Sequence, residues 1–390
     1  MKPRVLFIAS QPFFEWRGSP IRLGFDLMSL SQLGYDVEFL TLPIGQWREI
    51  DGVKIVRAPN PFRAKKISIG PSPLKLFFDF LLFWMALGRV LRRRYAVVHG
   101  VEDCGFIALV CARIGRARMI FERHSDPASY KKKKGLGNIV LRMYAAVERF
   151  VMRHADAVIG TGPGLVENAV KVRHDGRACL IPDIPSSLED AKAEEVADIR
   201  AMYTHAPDDI IVGYVGSFAV YQGIDLLFES IPLVVKKVPN ARFAIIGGQP
   251  AEIEGRRAEL AAAGCPEAAS FLGFIDPDRL PSYLASFDIL LSPRISGMNT
   301  PLKLLDYLKA RVPIVATDCE ANRLILDKTT AELTPLTPEG FADGIVRLCK
   351  NRARREELVG SGQDILRERH SFPVFKDALR KCYEYVLSVR

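Results

Sequence analysis

The residues of this sequence that are best suited to chemistry follow short apolar runs, at positions where strands of a parallel sheet would end. In the second half of the chain, Lys303 lies in the first turn of a predicted helix, with Thr300 as N-cap and Pro301 as first residue. A helix start presents free backbone N–H groups and a partial positive charge, which suits a phosphate or diphosphate. Arg294, just after a predicted strand, would supply a second cation, and Asp306, one turn further along the helix, would accept hydrogen bonds from ribose hydroxyls.

Each of these charged residues could also have an ordinary structural role. Lys303 could be a surface lysine, Arg294 could pair with a carboxylate, and Asp306 could be an exposed acid of a helix. Two further polar residues, Ser217 and Gln222, follow an earlier strand and could be turn residues without a ligand. The sequence therefore predicts an anion site, and the alternative is a set of unrelated surface side chains.

Four candidates in the first half of the chain follow predicted strands or open a helix. Gly18 follows the first strand and would let the backbone approach a phosphate or an acceptor, and Arg22 would face either a cleft or solvent. His124 and Glu102 follow later strands, and Glu102 is a candidate for contact with an acceptor. The alternative for His124 is a loop histidine with a structural hydrogen bond.

Short apolar runs alternate with longer amphipathic runs, which predicts an α/β fold with parallel sheets and helices on both faces. At 390 residues, the chain suits two domains. A Pro/Ser stretch predicts an N-terminal domain over residues 1–183, a C-terminal domain over 184–372, and a final helix over 373–390 that packs on the N-terminal domain. Ligands of such sheets bind at the carboxyl ends of the strands, which predicts a cleft between the two domains.

The predicted strands are residues 5–9, 37–41, 96–99, 118–122, 157–160, 210–215, 242–246, 289–291 and 313–316. The clearest predicted helices are residues 21–33, 223–238, 277–287, 302–310 and 373–389.

Three loops of the second half carry an ordered set of motifs. The first follows the strand 210–215, the second spans residues 292–306, and the third spans residues 312–318. With Gly18 near the first strand, this set resembles the family 4 glycosyltransferases of the GT-B fold, in which two Rossmann-like domains face each other. The resemblance covers most of the chain. It implies transfer of a sugar from a nucleotide diphosphate donor with retention of anomeric configuration.

The motifs depart from the family pattern at three positions. Ser217 stands where the family places an arginine, Gln222 where it places a lysine, and Met298 where it places the first of two glutamates. Asp306 takes the second glutamate position, and the block Asn299-Thr300-Pro301-Leu302-Lys303 is similar to a variant of the family. The donor contacts predicted on this basis are Gly18, Gly216, Ser217, Gln222, Asn299, Thr300, Pro301, Leu302 and Asp306.

The catalytic and acceptor roles are predicted in the same way. The resemblance implies that His124 lies near the transferred sugar, while Lys303 and Arg294 would stabilise the leaving diphosphate electrostatically. Glu102 and Arg22 are the candidates for contact with acceptor or sugar. The sequence has no Asp-x-Asp in a suitable loop and no metal-ligand spacing, so the reaction is predicted to need neither a metal nor a cofactor beyond its co-substrate.

Charge is unevenly distributed along the chain. Residues 1–180 contain 29 Lys and Arg against 15 Asp and Glu, a net charge of +14, whereas the whole chain carries +9. The apolar stretch 74–91 is followed by Arg92, Arg93 and Arg94, and residues 131–134 are all lysine, which predicts an interfacial helix on an anionic membrane. The alternative is a buried core helix with a solvated basic end. No nucleic-acid-binding motif occurs, so nucleic acid is not a predicted partner.

The predicted location is cytoplasmic, peripheral on the inner face of the cell membrane. The seven cysteines are dispersed, the first apolar run is too short for a signal peptide, and no stretch is long enough to span a membrane. The predicted partners are a nucleotide sugar and a glycan or lipid-linked acceptor. A nucleotide-sugar epimerase and a catalytically silent relative that binds a nucleotide or a partner protein are the alternative functions.

Overall fold

The computed structural model of the protein describes residues 2–15, 18–67, 72–125, 136–173, 177–297 and 300–388. Of the positions singled out above, Met298, Asn299 and the lysine run 131–134 lie outside these ranges. The chain divides into two compact units. The first unit consists of residues 1–183 and 372–390, and the second consists of residues 184–371.

The first unit is built on a parallel sheet of seven strands in the order β3-β2-β1-β4-β5-β6-β7. Its central strands are buried along nearly their whole length, as in β1 and β4, because helices cover both faces of the sheet. The strands are β1 (Arg4–Ala9), β2 (Asp36–Thr41), β3 (Val53–Arg57), β4 (Val97–Val101), β5 (Arg118–Arg123), β6 (Ala157–Gly160) and β7 (Ala178–Leu180).

Six helices among the described residues belong to this unit: α1 (Gly18–Gln32), α2 (Pro73–Arg92), α3 (Gly105–Gly115), α4 (Leu136–His154), α5 (Pro163–Arg173) and α14 (Phe372–Ser388). The last of them, α14, packs against α1 through aromatic contacts of Phe25 with Phe372 and Phe375. The helix α2 begins after Ser72, whose hydroxyl accepts the backbone N–H of Lys75 at 3.2 Å. Within the described residues, no helix has both the length and the apolar character needed to cross a membrane.

The second unit is built on a parallel sheet of six strands in the order β10-β9-β8-β11-β12-β13. The strands are β8 (Ile210–Val215), β9 (Ala241–Ile246), β10 (Ala269–Gly273), β11 (Ile289–Ser292), β12 (Ile314–Thr317) and β13 (Glu332–Thr334). Its helices are α6 (Ala193–Ala201), α7 (Ile224–Lys237), α8 (Pro250–Ala262), α9 (Leu280–Ala285), α10 (Leu302–Lys309), α11 (Glu320–Arg323), α12 (Pro338–Lys350) and α13 (Arg352–Arg369).

The strand order of each sheet reverses once, and this position determines where a ligand would bind. In the first sheet it reverses between β1 and β4, and in the second between β8 and β11. Ligands of open parallel sheets bind outside the carboxyl ends of the strands at such a point. The residues that follow β8 and β11 are the loops that carry the predicted anion site.

Two predicted features are wrong in detail. Thr300 is not the N-cap of α10: the cap is Pro301, which keeps an extended backbone with φ −77° and ψ 96°, so that the helix begins at Leu302. The predicted helix over residues 277–287 is a short 3₁₀ turn (Pro277–Arg279) followed by α9, which has a proline in its first turn. Proline removes a backbone donor, which favours a short helix that starts anew there.

Candidate functional site

In the second unit, the loops that follow β8 and β11 are held against each other. The backbone N–H of Ile295 donates to the carbonyl of Tyr221 at 3.1 Å. Gly223 has φ +71°, and a Cβ at this position would collide with the carbonyl oxygen of Pro293. Only glycine combines this backbone conformation with so close an approach. The turn that carries Gln222 is therefore fixed beside the strand end that carries Arg294.

Lys303 projects from the start of α10 into this pair of loops. Its Nζ donates to Oε1 of Gln222 at 3.0 Å and lies 4.7 Å from the centre of the Tyr214 ring. A Cβ built on Gly216 would lie 3.5 Å from the same Nζ. Desolvation, helped by the positive charge of Arg294, lowers the pKa of Lys303 to about 7. The lysine thus contacts Gln222 and lies beside Gly216, which are both predicted donor residues.

Arg294 provides the second cation of this site. Its side chain is 7% exposed, its Nε donates to the carbonyl of Ser296 at 2.9 Å, and its guanidinium lies 5.3 Å from the centre of the Tyr221 ring. Desolvation lowers its pKa, with small opposing effects from Tyr221 and Cys319. Within the described residues, neither Arg294 nor Lys303 forms an ion pair with a carboxylate. The structural alternative for Arg294, pairing with an acid, therefore does not hold there.

Two neighbouring cations without a paired carboxylate among the described residues are suited to an anion. Pro301 and Leu302 place the start of α10 next to Lys303, so that the partial positive charge of the helix end adds to the two side chains. Thr300 directly precedes Pro301, the N-cap of α10. On the loop after β8, Ser217 is exposed, and its backbone carbonyl accepts a hydrogen bond from the Tyr214 hydroxyl at 2.9 Å. Tyr214, which contacts both Ser217 and Lys303, is a site residue that sequence reasoning missed because it is buried inside a strand.

Within the described residues, Asp306 forms no ion pair with Lys303 or Arg294. Its Oδ1 accepts the backbone N–H of Ser186 at 2.6 Å. Burial raises its pKa to about 6, and the hydrogen bond from Ser186 opposes that rise only in part. Asp306 also lines a cavity of about 260 Å³ with Leu280, Leu284 and Lys309. Its carboxylate already holds the backbone where the chain enters the second unit, and a role towards ribose stays a prediction.

In the first unit, the sequence-predicted residues His124 and Arg22 contact one buried carboxylate that was not predicted, Glu122. Nε2 of His124 lies 2.8 Å from Glu122 Oε1, and Nε of Arg22 donates to the same oxygen at 2.6 Å. Nε2 of His99 lies 3.0 Å from the other oxygen. Burial opposes ionisation of Glu122, but Arg22 and the two histidines hold its pKa well below the usual range. The signal in the sequence is an acid within an otherwise apolar strand.

The contacts of Arg22 and Glu102 are structural in kind. Arg22 is buried and also donates to Oδ1 of Asp183 at 2.9 Å, so it faces neither an open surface nor solvent. Glu102 accepts the backbone N–H of His124 at 2.5 Å and that of Ser125 at 2.8 Å. Glu102 thereby orders the backbone after β5. Gly18 is the first residue of α1 and lies one turn before Arg22. Their contacts with an acceptor or donor stay predictions.

Within the residues that the structure describes, no three His, Cys, Asp or Glu side chains come together as a metal site requires. Metal independence of the reaction stays a prediction.

Two family profiles match the chain. Residues 28–183 match the family described as glycosyl transferase 4-like domain, and residues 209–351 match the one described as glycosyl transferases group 1. The chain belongs to the family 4 glycosyltransferases. The family expected from the motifs is thus confirmed, and the two parallel sheets confirm the α/β GT-B class of fold.

This glycosyltransferase is similar to several known proteins. It is 28% identical to phosphatidyl-myo-inositol mannosyltransferase of Mycobacterium tuberculosis over 172 residues, which cover 42% of the chain and 44% of that relative. The match therefore spans less than half the length of the relative. Among solved structures, sucrose-phosphate synthase from Thermosynechococcus elongatus has a TM-score of 0.76 at 16% identity and full coverage of both chains.

A second solved structure contains ligands. HepE of Anabaena in complex with UDP and glucose has a TM-score of 0.72 at 12% identity, over 97% of this glycosyltransferase and 98% of HepE. At these identities, the solved structures establish the fold alone.

Proposed function

We propose that the protein transfers a sugar from a nucleotide diphosphate sugar to a lipid-linked or envelope-glycan acceptor. The observation that carries the proposal is the pair Lys303 and Arg294, which lies without a paired carboxylate among the described residues, at the start of α10 and beside Gly216. A diphosphate matches this site in charge, because it would pair with both cations and with the N–H groups of the helix start. Membership of a sugar-transferring family supports the same assignment.

The residues of this site would act chiefly on the leaving group. As the bond from the sugar to the diphosphate breaks, negative charge develops on the phosphate oxygens. Lys303, Arg294 and the start of α10 would stabilise that charge from fixed positions, without a metal ion. His124, which Glu122 and Glu102 hold in place, would contact the transferred sugar, and Asp306 would accept hydrogen bonds from ribose. Retention of anomeric configuration belongs to this proposal through the family resemblance.

The two units would divide the substrates between them. Residues 184–372 would bind the donor, and residues 1–183, with the final helix 373–390, would bind the acceptor and face the membrane. The name of the mycobacterial relative, a phosphatidyl-myo-inositol mannosyltransferase, supports a lipid-linked acceptor, and the UDP bound to HepE supports a nucleotide donor. The protein would then act in the cytoplasm, as a peripheral protein on the inner face of the cell membrane.

The retained cations also bear on the silent-relative alternative. The family arginine and lysine are replaced by Ser217 and Gln222, which removes two positive charges from the loop after β8. Arg294 supplies a cation from the neighbouring strand end, and Gln222 accepts a hydrogen bond from Lys303. The site therefore keeps two cations from other positions, which favours an active transferase.

Calorimetry with UDP, GDP and their sugar conjugates tests the donor site, first without metal and then with magnesium. We expect one nucleotide to bind without metal, and Lys303→Ala to weaken that binding by about 1.5–3 kcal/mol, because the variant loses a charge-assisted hydrogen bond. Lys236→Ala, which removes an exposed lysine of α7, is the matched control and should bind as the parent protein does. A folded parent protein that binds none of these compounds would contradict the proposal.

A further inference from the structure

One side of α2 is apolar and uncovered. Opposite the buried side, which includes Phe78, Leu82 and Ala86, large apolar residues recur at helical spacing and are 54–67% exposed. A helix that is apolar all round is normally buried on every side, and an uncovered apolar surface marks an interaction site. The exposed residues of this surface, the α2 face, are Leu76, Phe80, Trp84 and Leu91.

The α2 face carries no unpaired charge along its length. Between Leu76 and Gly88, the only charged residue is Asp79, whose carboxylate pairs with Lys75 at 3.3 Å. Burial raises the pKa of Asp79, and Lys75 opposes that rise in part. The aromatic rings of Phe80 and Trp84 lie next to each other, with centres 6.0 Å apart. This face therefore offers apolar bulk without an electrostatic barrier to removal from water.

A second exposed apolar stripe lies on α4. Met143, Val147 and Phe150 follow each other at spacings of four and three residues, and all are exposed. The helix α3 packs against both α2 and α4, so that the three helices cover the same side of the first sheet, and α3 adds the exposed Phe106 and Ile114. The helices α2, α3 and α4 thus form one layer on the sheet, and α2 and α4 of this layer each present an exposed apolar stripe.

Exposed arginines flank both stripes. Arg92, Arg93 and Arg94 follow directly after the α2 face, and Arg142, Arg149 and Arg153 flank the stripe of α4. Within the described residues, none of these six arginines forms an ion pair. In contrast, Arg89 of α2 is bound to Glu38 at 2.8 Å and is not part of the set. The layer therefore combines apolar and aromatic residues with free positive charge.

We infer that this layer docks on an anionic lipid surface through the α2 face and the stripe of α4. The apolar residues would enter the boundary between headgroups and acyl chains, and the arginines would remain among the anionic headgroups. A second copy of the chain fits the surface less well, because a two-fold contact would bring the same arginine-rich patch of both copies together. The inference rests on the proposed function only in the expectation that a membrane carries the acceptor.

The position of α2 links this surface to the candidate acceptor residues. At the start of α2, Lys75 donates to Oγ of Ser10 at 2.9 Å and pairs with Asp103. Ser10 follows β1, and Asp103 is the neighbour of Glu102 after β4. The first turn of α2 therefore lies at the carboxyl edge of the sheet. An acceptor held in the bilayer would reach that edge directly from the lipid surface.

Vesicle binding of the full chain tests this inference in the absence of any donor. We expect the protein to sediment with phosphatidylglycerol vesicles and much less with phosphatidylcholine vesicles. Exchanging Arg92, Arg93 and Arg94 together for glutamine should lower the partition coefficient on the order of 100-fold. The double variant Phe80→Ser/Trp84→Ser should abolish most of the binding, with circular dichroism unchanged, because both side chains are exposed.

Three controls distinguish binding through the α2 face from nonspecific adsorption and from the donor site. Phe274→Ser removes a 74% exposed aromatic residue of the second unit and should bind vesicles as the parent protein does. Trp84→Phe keeps an aromatic residue and should bind, while losing the quenching by brominated lipid that the parent protein shows. Calorimetry with nucleotides, in the absence of vesicles, reports the donor site separately.

Two outcomes would overturn the inference. One is equal binding of the parent protein and of Phe80→Ser/Trp84→Ser to anionic vesicles, which would place the contact elsewhere. The other is a stable dimer in analytical ultracentrifugation that the same double variant converts to monomer, which would show that a second copy covers the α2 face.

Discussion

The surroundings of Lys303 disfavour its charged form. Its Nζ donates to Gln222, a neutral acceptor, and the charge that acts on its pKa is that of another cation, Arg294. Desolvation disfavours the charged ammonium most, and the positive charge of Arg294 adds to this effect, so that the pKa of Lys303 falls to about 7. A bound diphosphate would reverse this by placing negative charge beside Nζ. Ligand binding and protonation of Lys303 should therefore be coupled.

This coupling predicts how donor affinity depends on pH. Below pH 7 the lysine of the free protein is charged, so a diphosphate binds without uptake of a proton. Above pH 7 the free lysine is neutral, and binding requires its protonation, so the affinity should fall by up to about tenfold per pH unit. Calorimetry from pH 6 to pH 9 in buffers of different ionisation enthalpy would measure both the affinity and the proton uptake.

Lys303→Arg is the matched variant for this test, because arginine stays charged over the whole range. Its affinity should be nearly independent of pH wherever the nucleotide itself does not titrate. If the parent protein and this variant had the same pH profile, Lys303 would not be the titrating group.

At the scale of elements, the interiors of both sheets were predicted well and their edges were not. The predicted strands over residues 157–160 and 210–215 are the observed β6 and β8, and the other central strands differ by one or two residues at an end. The strands absent from the prediction are β3, β7, β10 and β13, which are the edges of the two sheets. A central strand is buried on both faces and gives a continuous apolar run, whereas an edge strand is short or half-exposed and gives no such signal.

The residues around Glu122 illustrate contacts that link elements distant in sequence. Arg22 of α1 binds Glu122 of β5 across 100 positions, and Tyr383 of α14 binds His99 of β4 at 2.8 Å across 284 positions. No local pattern contains information on such pairs. The sequence placed Arg22 and His124 near strand ends, but only the fold shows that one buried carboxylate holds both.

Glu122→Gln should therefore destabilise the first unit strongly. The change leaves the buried Arg22 without its closest anionic partner, and breaking a buried ion pair in this way costs about 3–5 kcal/mol. Urea denaturation followed by a probe in the first unit would measure the loss. Asp36→Asn, which removes one partner of an exposed pair with Arg4 in the same unit, is the control and should cost less than about 1 kcal/mol. A loss of similar size in both variants would contradict a buried ion pair between Arg22 and Glu122.

For the whole molecule, the chemistry suggested by the sequence separates into two units with different charge. The unpaired cations that suit a donor diphosphate belong to the second unit, although residues 181–390 carry a net charge of −5. The first unit carries the excess of positive charge, and much of it lies beside exposed apolar helix surfaces. Net charge alone would have placed the anionic ligand in the first unit. The local arrangement at the ends of β8 and β11 favours the second.

Hydrogen exchange can test this separation in the intact protein. A nucleotide at 100 times its dissociation constant stabilises the unit that binds it by about 2.7 kcal/mol. The added protection should appear in the loop after β8, around Gly216 and Gln222, and in the first turn of α10, because these segments would contact the diphosphate. Exchange in β2 and β3 should change little, because these strands belong to the first unit and do not flank the position between β1 and β4 where its strand order reverses. Protection confined to residues 1–183 would place the nucleotide in the first unit and would contradict the assignment of Lys303 and Arg294 to the donor.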